Sequence, residues 1–141
     1  MIKELIHDPL FLAMKSERAT AEDIETAKDL LDTLIFHKEG CVGMAANMIG
    51  VRKCIIAFLD ESGKKPDYTV MLNPKITRMD TPFDTKEGCV SLLGEPRSCK
   101  RYKNIKVEYQ NTAMQTRVKT YSGFTAQIIQ HEIDHCNGIL I

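Results

Sequence analysis

The stretch Gly123-Phe124-Thr125-Ala126-Gln127-Ile128-Ile129-Gln130-His131-Glu132-Ile133-Asp134-His135-Cys136 decides how this chain reads. It is predicted to be a helix that stops near Gly138. Phe124, Ile128, His131 and His135 step by four, three and four, so they share one helix face. Both imidazoles then reach one metal ion. Glu132, the next residue along the turn, is placed to handle a water proton. Phe124 and Ile128 extend the same face as an apolar wall, read either as plain core or as the side of a substrate pocket.

Working back from this helix, Gln115 to Tyr121 is predicted as a strand, Asn111-Thr112 as a turn, and the alternating Ile105, Val107 and Tyr109 as the hairpin partner. Further upstream, Lys75 to Met79, Tyr68 to Leu72 and Cys54 to Leu59 read as short strands. Asn73-Pro74 is expected to break the chain between two of them. Residues 1 to 19 look irregular, with a turn at Asp8-Pro9. Thr20 reads as an N-cap, and Ile24, Ala27, Leu30, Leu31, Leu34 and Ile35 form the stripe of an N-terminal helix. Strands outnumber helices and do not alternate with them. The expected class is therefore α+β, with antiparallel β-sheets surrounding a central C-terminal helix, plus one N-terminal helix.

Histidines four apart with a Glu after the first form the HExxH arrangement of zinc hydrolases. Such sites usually take three protein ligands. The six residues after His135 offer no downstream carboxylate or histidine, and Cys136 points off the metal-binding face. The third ligand must come from upstream. Cys41, Cys54, Cys89, Cys99, His7, His37 and the carboxylates are all candidates. Cys89 is the best of them, because Gly88 removes side-chain bulk beside its sulfur and lets a substrate or helix approach the backbone. The competing reading is a buried structural thiol, common for free cysteine.

Three segments together resemble the peptide deformylases, whose signatures GxGxAAxQ, EGCxS and QHExDH occur in that order. Here they stand as Cys41-Val42-Gly43-Met44-Ala45-Ala46-Asn47-Met48, Glu87-Gly88-Cys89-Val90-Ser91 and Gln130-His131-Glu132-Ile133-Asp134-His135. The resemblance implies that Cys89, His131 and His135 hold one divalent metal ion, natively Fe(II), with Zn, Ni or Co as substitutes. It implies that Glu132 is the general acid/base and that the backbone N–H of Val90 stabilises the oxyanion. Val42 and Gly43 are carried over as substrate contacts, joined by Gly88, Phe124 and Ile128 around the pocket. The implied substrates are N-formyl-methionyl peptides or nascent chains, from which the formyl group is removed.

The chain departs from the signatures at Cys41, where the first Gly stands, at Met48, where the Gln stands, and at Leu93, often Pro. Met48 supplies no N–H donor to an oxyanion. Loss of one such donor elsewhere costs about 100- to 1000-fold in turnover. A deformylase-like protein with another acyl substrate, or a metal-binding module, is the competing reading; Glu132 favours an enzyme. The resemblance also suggests that Arg101 pairs with Glu87, the alternative being a solvated surface Arg. Asp134 reads as an orienting partner for a ligand histidine or as an exposed helix carboxylate. Gln127 lies off the stripe and receives no role.

Composition bounds the rest. The 141 residues suit a single domain spanning 1–141. Nineteen basic and nineteen acidic residues cancel, without blocks of like charge. That argues against a direct nucleic-acid site and against a charged membrane surface. No apolar run approaches a membrane span, and the N-terminus does not open a secretory signal. Five irregularly spaced cysteines suit reduced thiols in the cytoplasm. A transient ribosome contact is compatible with this composition, though no docking patch is evident.

Overall fold

The computed structural model describes residues 1–89 and 91–141. After an extended N-terminal segment comes a four-residue helix α1 (Pro9–Leu12), where sequence reading expected only a turn. Asp8 accepts the Leu10 N–H at 3.0 Å, Pro9 occupies the first turn, and fully buried Leu12 anchors it. Thr20 and Asp23 then form a capping box around a short 3-10 turn, which leads into α2 (Ile24–Phe36). Ala27, Leu30, Thr33 and Leu34 make its buried face, while Ile35 faces outward.

Five strands follow in one antiparallel sheet whose spatial order equals chain order: β1 (Gly43–Ala45), β2 (Ile55–Asp60), β3 (Asp67–Cys89), β4 (Leu92–Gln110) and β5 (Thr116–Ser122). The predicted β4–β5 hairpin is present, with Ile105 opposite Tyr121 and Gln110 opposite Thr116. Asn73-Pro74 does not end a strand, contrary to expectation. β3 runs through it with a register shift between Leu72 and Lys75. Asn73 sits at φ 53, a left-handed conformation that Asn tolerates. Its side chain binds the Ala19 N–H and C=O at 2.8 and 2.9 Å and Gln110 at 2.7 Å. The bulge is thus pinned from two sides.

α3 (Gly123–Cys136) packs against β1, β2, β4 and β5, and is the central helix anticipated from sequence. Ala126, Ile129 and Cys136 join Ile55, Ile56, Phe58, Met71, Leu72, Ile105 and Val107 in the core. Phe58 and Tyr121 meet edge to face at 5.9 Å. Gln130, His131, Glu132 and His135 are buried as well, so α3 carries polar chemistry into the interior. That is costly unless each group finds a partner. Among the described residues no helix is long and apolar enough to cross a membrane.

Candidate metal centre and active site

Two elements meet at the site. The end of β3 delivers Glu87, Gly88 and Cys89, and one face of α3 delivers His131 and His135. The Cys89 thiol and one nitrogen from each imidazole lie within 4.8 Å of one another. The two Nε2 atoms face each other at 3.2 Å. A thiol and two imidazole nitrogens converging on one point are a donor set for a borderline-soft divalent ion. The residues present therefore fit the metal that the motif implies.

Outer contacts orient one of these ligands, His131, whereas the His135 Nδ1 has no hydrogen-bond partner among the described residues. His131 Nδ1 lies 2.7 Å from Glu87 Oε1, which makes Nδ1 the donor and leaves the Nε2 lone pair for a metal. Glu87 also accepts from Arg101 at 2.8 to 3.1 Å and from Gln127 Nε2 at 2.8 Å. Arg101 donates its remaining arm to Asp134 Oδ2 at 2.7 Å. Arg101 is 4% exposed, so this is a buried ion cluster and no surface pair. Burial works against a charged Glu87, yet hydrogen bonds from His131, Arg101 and Gln127 hold it down at about 2. Burial likewise disfavours a charged His131, but Cys89 and Glu87 outweigh it and raise it to about 10, so a metal binding at Nε2 would have to displace the proton there. His135 goes the other way: burial and the neighbouring His131 lower it to about 3.

Glu132 is 4% exposed, and its Oε1 has no hydrogen-bond partner among the described residues. Burial pushes its carboxyl up to about 7. A carboxyl poised near neutrality, with one free oxygen beside the ligands, is suited to taking and returning a proton. Gly43 makes room for it. A Cβ there would sit 2.8 Å from Glu132 Oε2 and 2.7 Å from Ile128 Cγ2.

The ligands open into a cleft of about 290 Å³. Cys41, Val42 and Gly43 form one wall, and Glu87, Gly88 and Cys89 the other. Phe124, Gln127 and Ile128 continue the α3 face beside His131 and Glu132. All five expected substrate-contact residues thus line one cleft with Cys89, His131 and Glu132, whereas His135 is fully buried and is not among its lining residues. The Val90 amide lies outside the described residues, as does the Leu93 side chain. Arg101 pairs with Glu87 as the resemblance implied, and Asp134 partners Arg101 instead of a ligand histidine. Met48 is 1% exposed and is not among the cleft residues; its Sδ accepts the Ala45 N–H at 3.3 Å.

Sequence reading gave Gln127 no role. Its position four residues before His131 was the available signal, since such residues are helix neighbours. Asn47 was also passed over. It is fully buried, and its Nδ2 donates to the His135 carbonyl at 2.9 Å, tying the first signature to the end of α3. Only the tertiary fold reveals that contact.

A Cys-His-His donor set for a single metal ion and an adjacent buried Glu, beside an open cleft, define a metal-dependent hydrolase. A sequence model of the polypeptide deformylases matches residues 4–141. The chain is 47% identical to a peptide deformylase of Clostridium beijerinckii, over 100% of both chains. Among solved structures it resembles a peptide deformylase from Legionella pneumophila, with TM-score 0.86, 29% identity, and coverage of 99% of this chain and 83% of that one. The peptide deformylase from Thermus thermophilus gives TM-score 0.85 and 31% identity, with the same coverage. The chain belongs to the peptide deformylase family.

Proposed function

We propose that this chain, acting as one domain, removes the formyl group from N-terminal N-formylmethionine of nascent polypeptides. The observation that carries this reading is the convergence of Cys89, His131 and His135 beside a cleft that Glu132 and Gly43 of β1 also line. One divalent ion held by the three ligands would supply Lewis acidity and lower the pKa of a water. Fe(II) is the proposed native ion, from the family resemblance; Zn, Ni and Co suit the same donors.

Glu132 takes the proton of the attacking water and passes it to the leaving amine. The Val90 N–H is proposed to steady the oxyanion. Gly43 meets the peptide backbone at the edge of β1, Val42 contacts the substrate from the same wall, and Gly88 lets it pass the opposite wall. Phe124 and Ile128 flank the methionine side chain. His131 is kept in its ligating tautomer by Glu87, which Arg101 and Gln127 hold in place. The proposed setting is the cytoplasm, with transient contact at the ribosome where nascent chains emerge.

A second reading, hydrolysis of a different small acyl group, is favoured by one observation: Met48 turns toward Ala45 and gives the cleft no donor. Formate release from N-formyl-Met peptides, compared with acetate release from N-acetyl-Met peptides, separates the two.

A further inference from the structure

β1 is an edge strand, and its first residue, Gly43, lines the cleft, whereas Met44 and Ala45 are fully buried. Backbone polar groups alternate sides along a strand. Val42 C=O accepts the Leu59 N–H at 2.8 Å and so points to β2. The polar groups of Gly43 and Ala45 therefore point away from β2. Both are engaged by sulfur from within the chain. Cys41 Sγ–H donates to the Gly43 carbonyl at 3.0 Å, and Met48 Sδ accepts from the Ala45 N–H at 3.3 Å. Cys41 and Met48 are the two departures from the first signature. At Gly43, the edge position in the cleft that an extended peptide could join, the carbonyl is thus already engaged by a residue in which this chain differs.

We propose that Cys41 is a specificity-determining residue: its S–H satisfies the Gly43 carbonyl, so the cleft accepts peptides lacking a backbone N–H at the facing position, such as a proline, nearly as well as peptides that have one. A carbonyl without an internal donor would demand an N–H from the substrate. Binding a peptide without it would bury that carbonyl unpaired, at the full desolvation cost. With Cys41 present, a peptide N–H shares the carbonyl's two lone pairs with the thiol or displaces it, and gains less than it would at a carbonyl with no other donor. A thiol is a weak donor, so it yields to an N–H without blocking it. Cys41 acts through Gly43 and touches no reacting atom. The location of the peptide rests on the function proposed above; the role of Cys41 rests on the edge geometry.

The test uses full-length, metal-loaded protein and the peptide Met-Ala-Ser-amide, with variants N-methylated at Ala or at Ser. Kd is read by calorimetry, and KM and kcat from the N-formylated forms. At the position facing Gly43, methylation is expected to weaken binding about three- to tenfold more in Cys41→Ala than in wild type. The change should appear in Kd and KM and not in kcat. Cys41→Ser, whose hydroxyl keeps a donor, should behave as wild type. Equal methylation penalties in wild type and Cys41→Ala at both positions would overturn the proposal, as would a failure of any peptide to bind. If the Kd pattern holds but no formate is released, the deformylase reading fails and the role of Cys41 stands.

Discussion

Gly43→Ala adds one methyl group, and the structure says where it must go. It would lie 2.7 Å from Ile128 Cγ2, 2.8 Å from Glu132 Oε2 and 3.2 Å from Glu132 Cγ. Ordinary contact begins near 3.4 Å, so both side chains must retreat by about half an ångström or more. Ile128 is 6% and Glu132 4% exposed, which leaves little room. Gly43 does not occupy the positive-φ region, so the cost is steric and not conformational. Overpacking of this kind costs about 1–3 kcal/mol. For a domain of this size that is a fall in Tm of about 3–10 °C. The larger effect is on turnover. Displacement of a proton-transfer group by up to about 1 Å can cost on the order of 100-fold in rate. Gly63→Ala is the control, since its Cβ would meet only Lys65 O at 3.9 Å. The assay is kcat on an N-formyl-Met peptide alongside thermal unfolding of both variants. Wild-type kcat and Tm in Gly43→Ala would refute the placement of Glu132 against this glycine.

Three further outcomes follow from the buried polar contacts. Glu87→Gln removes the carboxylate that orients His131, and metal affinity should fall about 10- to 100-fold in a chelator competition; unchanged affinity would mean that the ligand needs no such support. Arg101→Met leaves the Glu87 carboxylate buried without its guanidinium and should cost about 3–5 kcal/mol at pH 7 in urea unfolding of metal-free protein. Glu87 is depressed to about 2 in the fold, so its stabilisation is fully present above its unfolded value of about 4.3 and is lost as pH falls toward 2. The gap between wild type and Arg101→Met should therefore narrow between about pH 4 and about pH 2, and a constant gap would count against the ion cluster. Asn47→Leu removes one of two donors to the His135 carbonyl, leaving the Gly138 N–H at 3.1 Å, and should cost about 0.5–1.5 kcal/mol in the same unfolding assay; no loss would show that the bond to His135 contributes nothing.

What could be read from sequence depended on whether the signal was local. α3 was legible because i, i+4 spacing alone places His131 beside His135. The β4–β5 hairpin was legible because Ile105, Val107 and Tyr109 alternate before an Asn-Thr turn. β3 was misread at Asn73-Pro74: the dipeptide looks like a breaker, but Ala19 and Gln110 hold its bulge from distant parts of the chain. Helix α1 was missed because four residues are too few to show periodicity, and its anchor is the burial of one side chain, Leu12. At the site, the two histidines and Glu132 followed from helix geometry, whereas Cys89 was the favoured one of several upstream candidates, for the Gly88 beside it, until the motif resemblance singled it out. The joining of Glu87, Arg101 and Gln127 needed β3, β4 and α3 to meet. Met48 shows the limit most clearly. The sequence shows that a donor is missing, but only the structure shows its sulfur engaged with Ala45.

The deformylase reading stands or falls on formate release from N-formyl-Met-Ala-Ser by protein purified without oxygen and loaded in parallel with Fe(II), Ni(II), Co(II) or Zn(II). Turnover is expected in wild type and should be lost in Glu132→Ala, with one metal ion still bound per chain. No turnover with any of these metals, while wild type binds one ion per chain, would contradict it.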